Sequence, residues 1–282
     1  MKYKFSNLLI LCMLSSSYIF SQTSENQKDD NDSIDEKKSF FSASTTFITN
    51  SASAGRVEEG YNPSIGASIG YNFKFGGYIA AESGLAPTQT QKFGGFSLQG
   101  GYGCTIIKDF MDADISYTHY FSQNTSKVSS EVQGTFTGAL TCDLDWVAID
   151  FTPSYSYGSK VGDVLFSLGL NKNISLFTFS KQSELSISPG LKSYAGTQKL
   201  LELHVTKKPL KTKKGAILIS EYNAEYSKFN YLDTDIEIPI SYTLNKFTFE
   251  LTPILSLPTN LVQTTRFIAN PFYVDFSVSL KI

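Results

Sequence analysis

The sequence predicts an all-β fold. It reads as a transmembrane, antiparallel up-and-down β-barrel of about 12 strands, with 14 as the alternative, behind an N-terminal signal peptide. Three observations predict it. The first is long alternation: in MDADISYTHYF, Met111, Ala113, Ile115, Tyr117, His119 and Phe121 alternate with Asp112, Asp114, Ser116, Thr118 and Tyr120. A strand sends successive side chains to opposite faces, so this segment is two-faced. The second is the kind of residue on each face. The polar face carries Gly, Ser, Thr and Asp, and the apolar face carries no charge. The third is the N-terminus, MKYKFSNLLILCMLSSSYIFSQ, with a basic start at Lys2 and Lys4, an apolar run from Leu8 to Leu14, and small residues after it. That is the pattern of a secretory signal, too short to span a bilayer as a helix.

Alternation alone does not say which face meets lipid, because a soluble sandwich alternates with its apolar face inside. Many long strands, an uncharged apolar face, Tyr and Phe near strand ends, and export together favour the apolar face outward. A span of this kind must close on itself, since an open sheet edge in lipid leaves backbone groups unpaired. A formal charge of −2 lacks the basic excess of a nucleic-acid binder.

Signal cleavage is expected after Ser21, so residues 1–21 form the signal peptide. Cys12 lies inside the apolar run without a small residue just before it, which argues against lipidation. Residues 22–38, including TSENQKDDNDSIDEKK, are acidic and free of aromatics and read as a disordered periplasmic tail. Residues 39–282 form the barrel.

The strands are expected in order as follows. The first runs from Phe40 to Ile48, and the second from Ser64 to Lys74. After a tight turn at Phe75 to Gly77, the third runs from Tyr78 to Leu85. Phe96 to Ile106 and Met111 to Phe121 make the fourth and fifth. In the sixth, Val132 to Cys142, Val132, Phe136, Leu140 and Cys142 face one way and Gln133, Thr135, Thr137 and Thr141 the other. The seventh, Trp146 to Tyr157, sends out Val147, Ile149, Phe151, Tyr155 and Tyr157. The eighth runs from Val164 to about Phe177, and the ninth from Glu184 to Tyr194. The tenth ends DIEIPISYTL, the eleventh runs from Phe247 to Leu257, and the twelfth from Phe272 to Ile282. An even count puts both termini on one side, and most links on that side are tight. Pro153, Pro189 and Pro253 lack a ladder donor and are expected to mark bulges or bends. Cys104 and Cys142 share the apolar parity of strands that are not neighbours, so no bridge is expected.

Residues 196–230 carry two short apolar runs around KKPLKTKKG. They read as an extended extracellular hairpin rather than two more membrane strands, because Leu200 to Val205 falls short of the roughly 9 to 11 residues a tilted strand needs. Its tip is basic, with Lys207, Lys208, Lys211, Lys213 and Lys214.

The stretch DIEIPISYTLNKFTFELTPILSLPTN, then FYVDFSVSLKI, resembles a porin-like family of uncharacterised outer-membrane β-barrel proteins of Gram-negative bacteria. In these, a strand ending in PISY precedes a tight turn, an F-x-F-x-x-TP strand and a closing aromatic strand. NPSIGASIGYNF and GGYIAAESGLAP resemble the family's N-terminal hairpin. The resemblance implies a barrel of about twelve strands and no known catalytic residues. Such barrels often end in an aromatic residue, read by the assembly machinery that would insert them; this chain ends in Ile282.

The inward parity gives candidate lumen residues. Its carboxylates are Glu82, Asp112, Asp114, Asp150, Glu184, Asp235, Glu237, Glu250 and Asp275, against Lys74, Lys192 and Lys281. An open lumen of that balance prefers cations; the alternative is a polar filling of paired charges and hydroxyls. Tyr78, Tyr120, Trp146, Tyr194 and Tyr273 point inward and would narrow a channel. His119 is followed by Tyr120 and Phe121, so the His-x-Ser pair of outer-membrane phospholipases is absent. His204 has only Glu202 near it in the chain, and both histidines read as rim residues. No metal spacing, phosphate loop or nucleophile elbow appears, and no cofactor is expected. The function expected is a narrow passive channel for small polar or cationic solutes in the outer membrane, in contact with lipid and lipopolysaccharide. A closed structural or surface-binding barrel is the alternative, and an outer-membrane lipase or protease a weak third.

Overall fold

The computed structural model describes residues 38–49, 52–53, 56–58, 63–85, 93–121, 132–159, 161–180, 182–199, 228–259, 267–269 and 272–282. The expected signal peptide, all but the last residue of the expected tail, His204, and the lysines at Lys207, Lys208, Lys211, Lys213 and Lys214 lie outside the described residues.

The elements are strands: β1 (Phe40–Ile48), β2 (Ala52–Ser53), β3 (Arg56–Glu58), β4 (Ser64–Asn72), β5 (Gly77–Leu85), β6 (Phe93–Ile107), β7 (Met111–Phe121), β8 (Val132–Asp143), β9 (Ala148–Gly158), β10 (Gly162–Asn171), β11 (Ile174–Ser180), β12 (Ser183–Ile187), β13 (Gly190–Gly196), β14 (Asn230–Glu237), β15 (Ile240–Leu244), β16 (Phe247–Ser256), β17 (Phe267–Ala269) and β18 (Phe272–Lys281). β2, β3 and β17 form a small separate sheet, and the others form one antiparallel sheet. β18 pairs with β16 on one side and β1 on the other, so the sheet closes. Backbone bonds between Phe41 and Ile282, 2.8 and 3.0 Å long, seal the seam.

Three crossings are made of two labelled pieces each. The ladders break at 172–173, at Ser188–Pro189 and at Ile238–Pro239, and the register is the same on both sides of each gap. β10 with β11, β12 with β13 and β14 with β15 are therefore single strands, and twelve strands make the wall. Pro189 and Pro239 remove ladder donors without shifting the pairing. Pro153 and Pro253 likewise sit within β9 and β16 with the register kept. Of the bulges or bends expected at Pro153, Pro189 and Pro253, the bulges are thus corrected: a missing N–H deletes a bond, whereas a bulge needs an extra residue.

Real bulges lie elsewhere, and one reverses an expected face. The β8–β9 register shifts between Val132 and Gly134. Val132 consequently turns inward, buried against Tyr120 with Val161 packed on them, and Gln133 is exposed. Trp146 is also corrected. It sits in the β8–β9 turn, 74% exposed, and does not narrow the interior.

The tight links share one device. Gly76, Asp109, Asp145 and Asn245 all have positive φ, between 55° and 98°. This left-handed conformation, accessible to Gly, Asn and Asp at low cost, lets adjacent strands reverse within a few residues. The β11–β12 hairpin reaches past these turns. β9 begins at Ala148 opposite Asn171, whereas β11 continues to Ser180 with every residue exposed.

The apolar parity is outside. Ile115 is 66% and Phe136 52% exposed, while their neighbours Ser116 and Thr135 are 7% and 6% exposed. This inverts a soluble core and matches a barrel wall in lipid. Aromatic rings gather at both rims. Phe41, Tyr71, Phe73 and Phe75 form a chain with 4.7 to 5.2 Å between ring centroids on the tight-turn side. On the loop side, Phe96, Phe121, His119, Tyr117, Phe136 and Tyr157 pack together. His119 is thus a girdle residue, its Nδ1 3.1 Å from Tyr117 Oη. Cys104 and Cys142 are free, on strands separated by β7.

Candidate functional site

The inward faces of β1 and β4–β9 carry small residues. Ser44 and Ser68 bond across β1–β4 at 2.7 Å, and Thr135 and Ser156 across β8–β9 at 2.9 Å. Tyr78 and Tyr120 are the large exceptions. Tyr120 packs against Val132 near the loop-side rim. Tyr78 does not project into the interior. Its ring crosses β6 over Gly101, and its hydroxyl donates to Asp114 Oδ1 at 3.0 Å on the next strand. A Cβ on Gly101 would lie 2.3 Å from Tyr78 Cζ, so only glycine leaves room for this path. Tyr78 is an inward residue whose ring lies along the wall.

The predicted carboxylates fall into two groups and two single residues. Asp112, Asp114 and Asp150 are held by wall hydroxyls and an amide. Thr105 Oγ1 donates to Asp112 at 2.7 Å, Thr141 Oγ1 to Asp150 Oδ1 at 2.7 Å, and Asn171 Nδ2 to Asp150 Oδ2 at 2.5 Å. Asp235, Glu237, Glu250 and Asp275 gather on β14, β16 and β18, on one side of the barrel. Glu82 stands apart on β5, between Ser68 and Ser97. Glu184 lies on the hairpin that reaches past the turns and is exposed. Of the three lysines, Lys192 alone is on the inner wall. Lys74 is in the β4–β5 turn, and Lys281 is at the tight-turn rim over the Phe40 ring.

One residue was missed from sequence. Asp233 is fully buried on the inner face of β14, and Ser256 Oγ donates to its Oδ2 at 2.5 Å. A register shift beside Tyr194 hides the start of this strand, because Tyr231 is exposed while Leu232 and Asp233 are both buried. The i, i+2, i+4 spacing of Asp233, Asp235 and Glu237 was the readable signal. Oδ1 of Asp233, Asp235 and Asp275 are buried and accept no hydrogen bond from the described residues. Most buried acceptors are paired, so three orphans on one wall set this region apart. Tyr194 and Tyr273 line the same region, Tyr194 buried opposite Asp233. Among the described residues, no group of His, Cys, Asp and Glu is arranged to hold a metal ion.

No family model matches the chain, and no curated protein matches it. Solved structures do. The KdgM porin aligns over 86% of this chain and 99% of its own, at 9% identity and a TM-score of 0.50. The NanC porin aligns over 86% and 100%, at 10% identity and a TM-score of 0.46. LpxR from Salmonella typhimurium covers 85% and 99%, at 10% identity and a TM-score of 0.43. At such identities the likeness is one of fold, and the chain has the fold of an outer-membrane β-barrel of the porin kind.

Proposed function

We propose that this protein is a narrow, passive, non-enzymatic outer-membrane channel for small polar or cationic solutes. The observation that carries the reading is the packing of Tyr78 flat over Gly101. It keeps one of the two inward tyrosines of the β4–β8 wall along the wall, where most other inward residues are small. The second, Tyr120, is packed against Val132 at the loop-side end. The charge preference comes from Asp112, Asp114, Asp150, Asp233, Asp235, Glu237, Glu250 and Asp275, against Lys192, the one inner-wall lysine among the described residues. The orphan oxygens of Asp233, Asp235 and Asp275 are buried, so the donors that suit them are enclosed waters or a cation seated among them. In this reading Glu82 lines the small-residue wall, and Glu184 stands at the tight-turn mouth as an acidic entrance.

Planar-bilayer recording of the refolded, heat-modifiable protein tests it. Discrete cation-selective steps are expected, and Asp114→Asn with Asp150→Asn should lower the cation preference. A silent bilayer beside a correctly folded barrel would instead support a closed structural or surface-binding role.

A further inference from the structure

The register lays four of the inward charges, Asp112, Asp150, Lys192 and Asp235, out in one lateral row. Thr105 on β6 pairs with Asp112 on β7, which pairs with Thr141 on β8, which pairs with Asp150 on β9. The row continues from Asp150 to Gly169 on β10, Lys192 on β13, Asp235 on β14 and Ser256 on β16. All of these point inward, and directly opposed residues on one face are side-chain neighbours. Asp112 and Asp150 are each held by the threonine beside them. Lys192 is different in sign and falls between Asp150 and Asp235. Gly169 has no side chain to separate it from Asp150, and a Cβ there would lie 3.5 Å from Asp150 Oδ2. Lys192 interacts electrostatically with Glu237, Asp150 and Asp235, and its Nζ lies 5.6 Å from the Tyr194 ring centroid.

We infer that Lys192 is a tethered counter-ion that sets the charge preference of the interior. Its ammonium occupies the carboxylates that a permeating cation would otherwise use. This rests on the channel reading above and adds a specificity-determining residue to it. A charge inside a low-dielectric wall acts over several ångströms with little screening. A permeating monovalent cation must therefore displace, or share with, an ammonium that cannot leave. The chemical class that competes best carries more than one positive charge, such as a divalent ion or a small diamine.

The test is the reversal potential under a salt gradient in planar bilayers. Lys192→Met is expected to raise the cation-to-anion permeability ratio by about threefold or more, and to increase block by added putrescine. Lys192→Arg keeps the wild-type ratio, and Lys108→Met, in an exposed turn, leaves it unchanged. If Lys192→Met does not fold, Lys192→Met with Asp235→Asn removes one charge of each sign. That pair is expected to fold and to return the wild-type ratio. A conducting barrel whose ratio ignores Lys192, or follows Asp235 alone in the double variant, overturns the inference and leaves the channel standing. A folded wild-type barrel that never conducts overturns both.

Discussion

Tyr78 reaches across an entire strand to Asp114. The two residues sit on β5 and β7, and the hydroxyl of one donates to Oδ1 of the other at 3.0 Å over the bare backbone of Gly101. Gly103, directly opposite Asp114, is likewise bare; a Cβ there would lie 3.3 Å from Asp114 Oδ2. Two glycines on the inward parity of β6 thus make a shallow trough in the wall, and a tyrosine lies in it.

Gly101→Ala tests that trough. The added methyl collides with the outer end of the ring, which can swing away, so the fold should survive. The swing leads inward and breaks the bond to Asp114, at a cost of about 0.5–1.5 kcal/mol. Single-channel conductance is expected to fall, and Tyr78→Ala in the same background to restore it. Unchanged conductance in Gly101→Ala would show that the ring does not control the opening.

The two faces of β7 can be separated by one residue step. Ile115 is 66% exposed on the outer face, and Ser116 is 7% exposed on the inner one. Ile115→Lys puts a charge toward lipid and is expected to cost about 2–4 kcal/mol near the bilayer midplane. Ser116→Lys keeps its charge on the polar face, so it should cost less than Ile115→Lys in urea unfolding and should reduce cation preference. Equal destabilisation by both would contradict the assignment of faces.

Ser256→Ala isolates the buried acid that sequence reasoning missed. It removes the donor to Asp233 Oδ2, whose Oδ1 already accepts nothing from the described residues. Leaving a buried acceptor unsatisfied costs about 1–3 kcal/mol. Thr248→Ala removes a 3.3 Å bond to Thr243 near the rim and should cost no more than about 1 kcal/mol. Urea midpoints in the same vesicles compare them; equal shifts would mean that Asp233 finds solvent.

The outer wall carries its own check. Cys104 and Cys142 are free and lie on strands kept apart by β7. Oxidation with copper phenanthroline should leave the monomer's mobility on a non-reducing gel unchanged. An internal cross-link would mean that the strand order is wrong.

Alternation determined where the strands run, because a period of two is a local property of the backbone. The uncharged apolar face, the aromatic strand ends and the export signal put that face in lipid, and strand length decided twelve over fourteen. The tight turns were equally legible, from the short polar links that contain Gly76, Asp109, Asp145 and Asn245. Three things needed the closed sheet. The bulge at Val132 exchanged Val132 and Gln133 between faces, and nothing in a local pattern marks an extra residue. The direction of Tyr78 depended on glycines more than twenty positions away. The row from Asp112 through Lys192 to Asp235 depended on register between strands, which is fixed only when twelve tilted strands must meet at β1 and β18. The sequence names most of the charges inside the barrel; closure adds Asp233, moves Lys74, Lys281 and Glu184 off the inner wall, and decides which charges are neighbours.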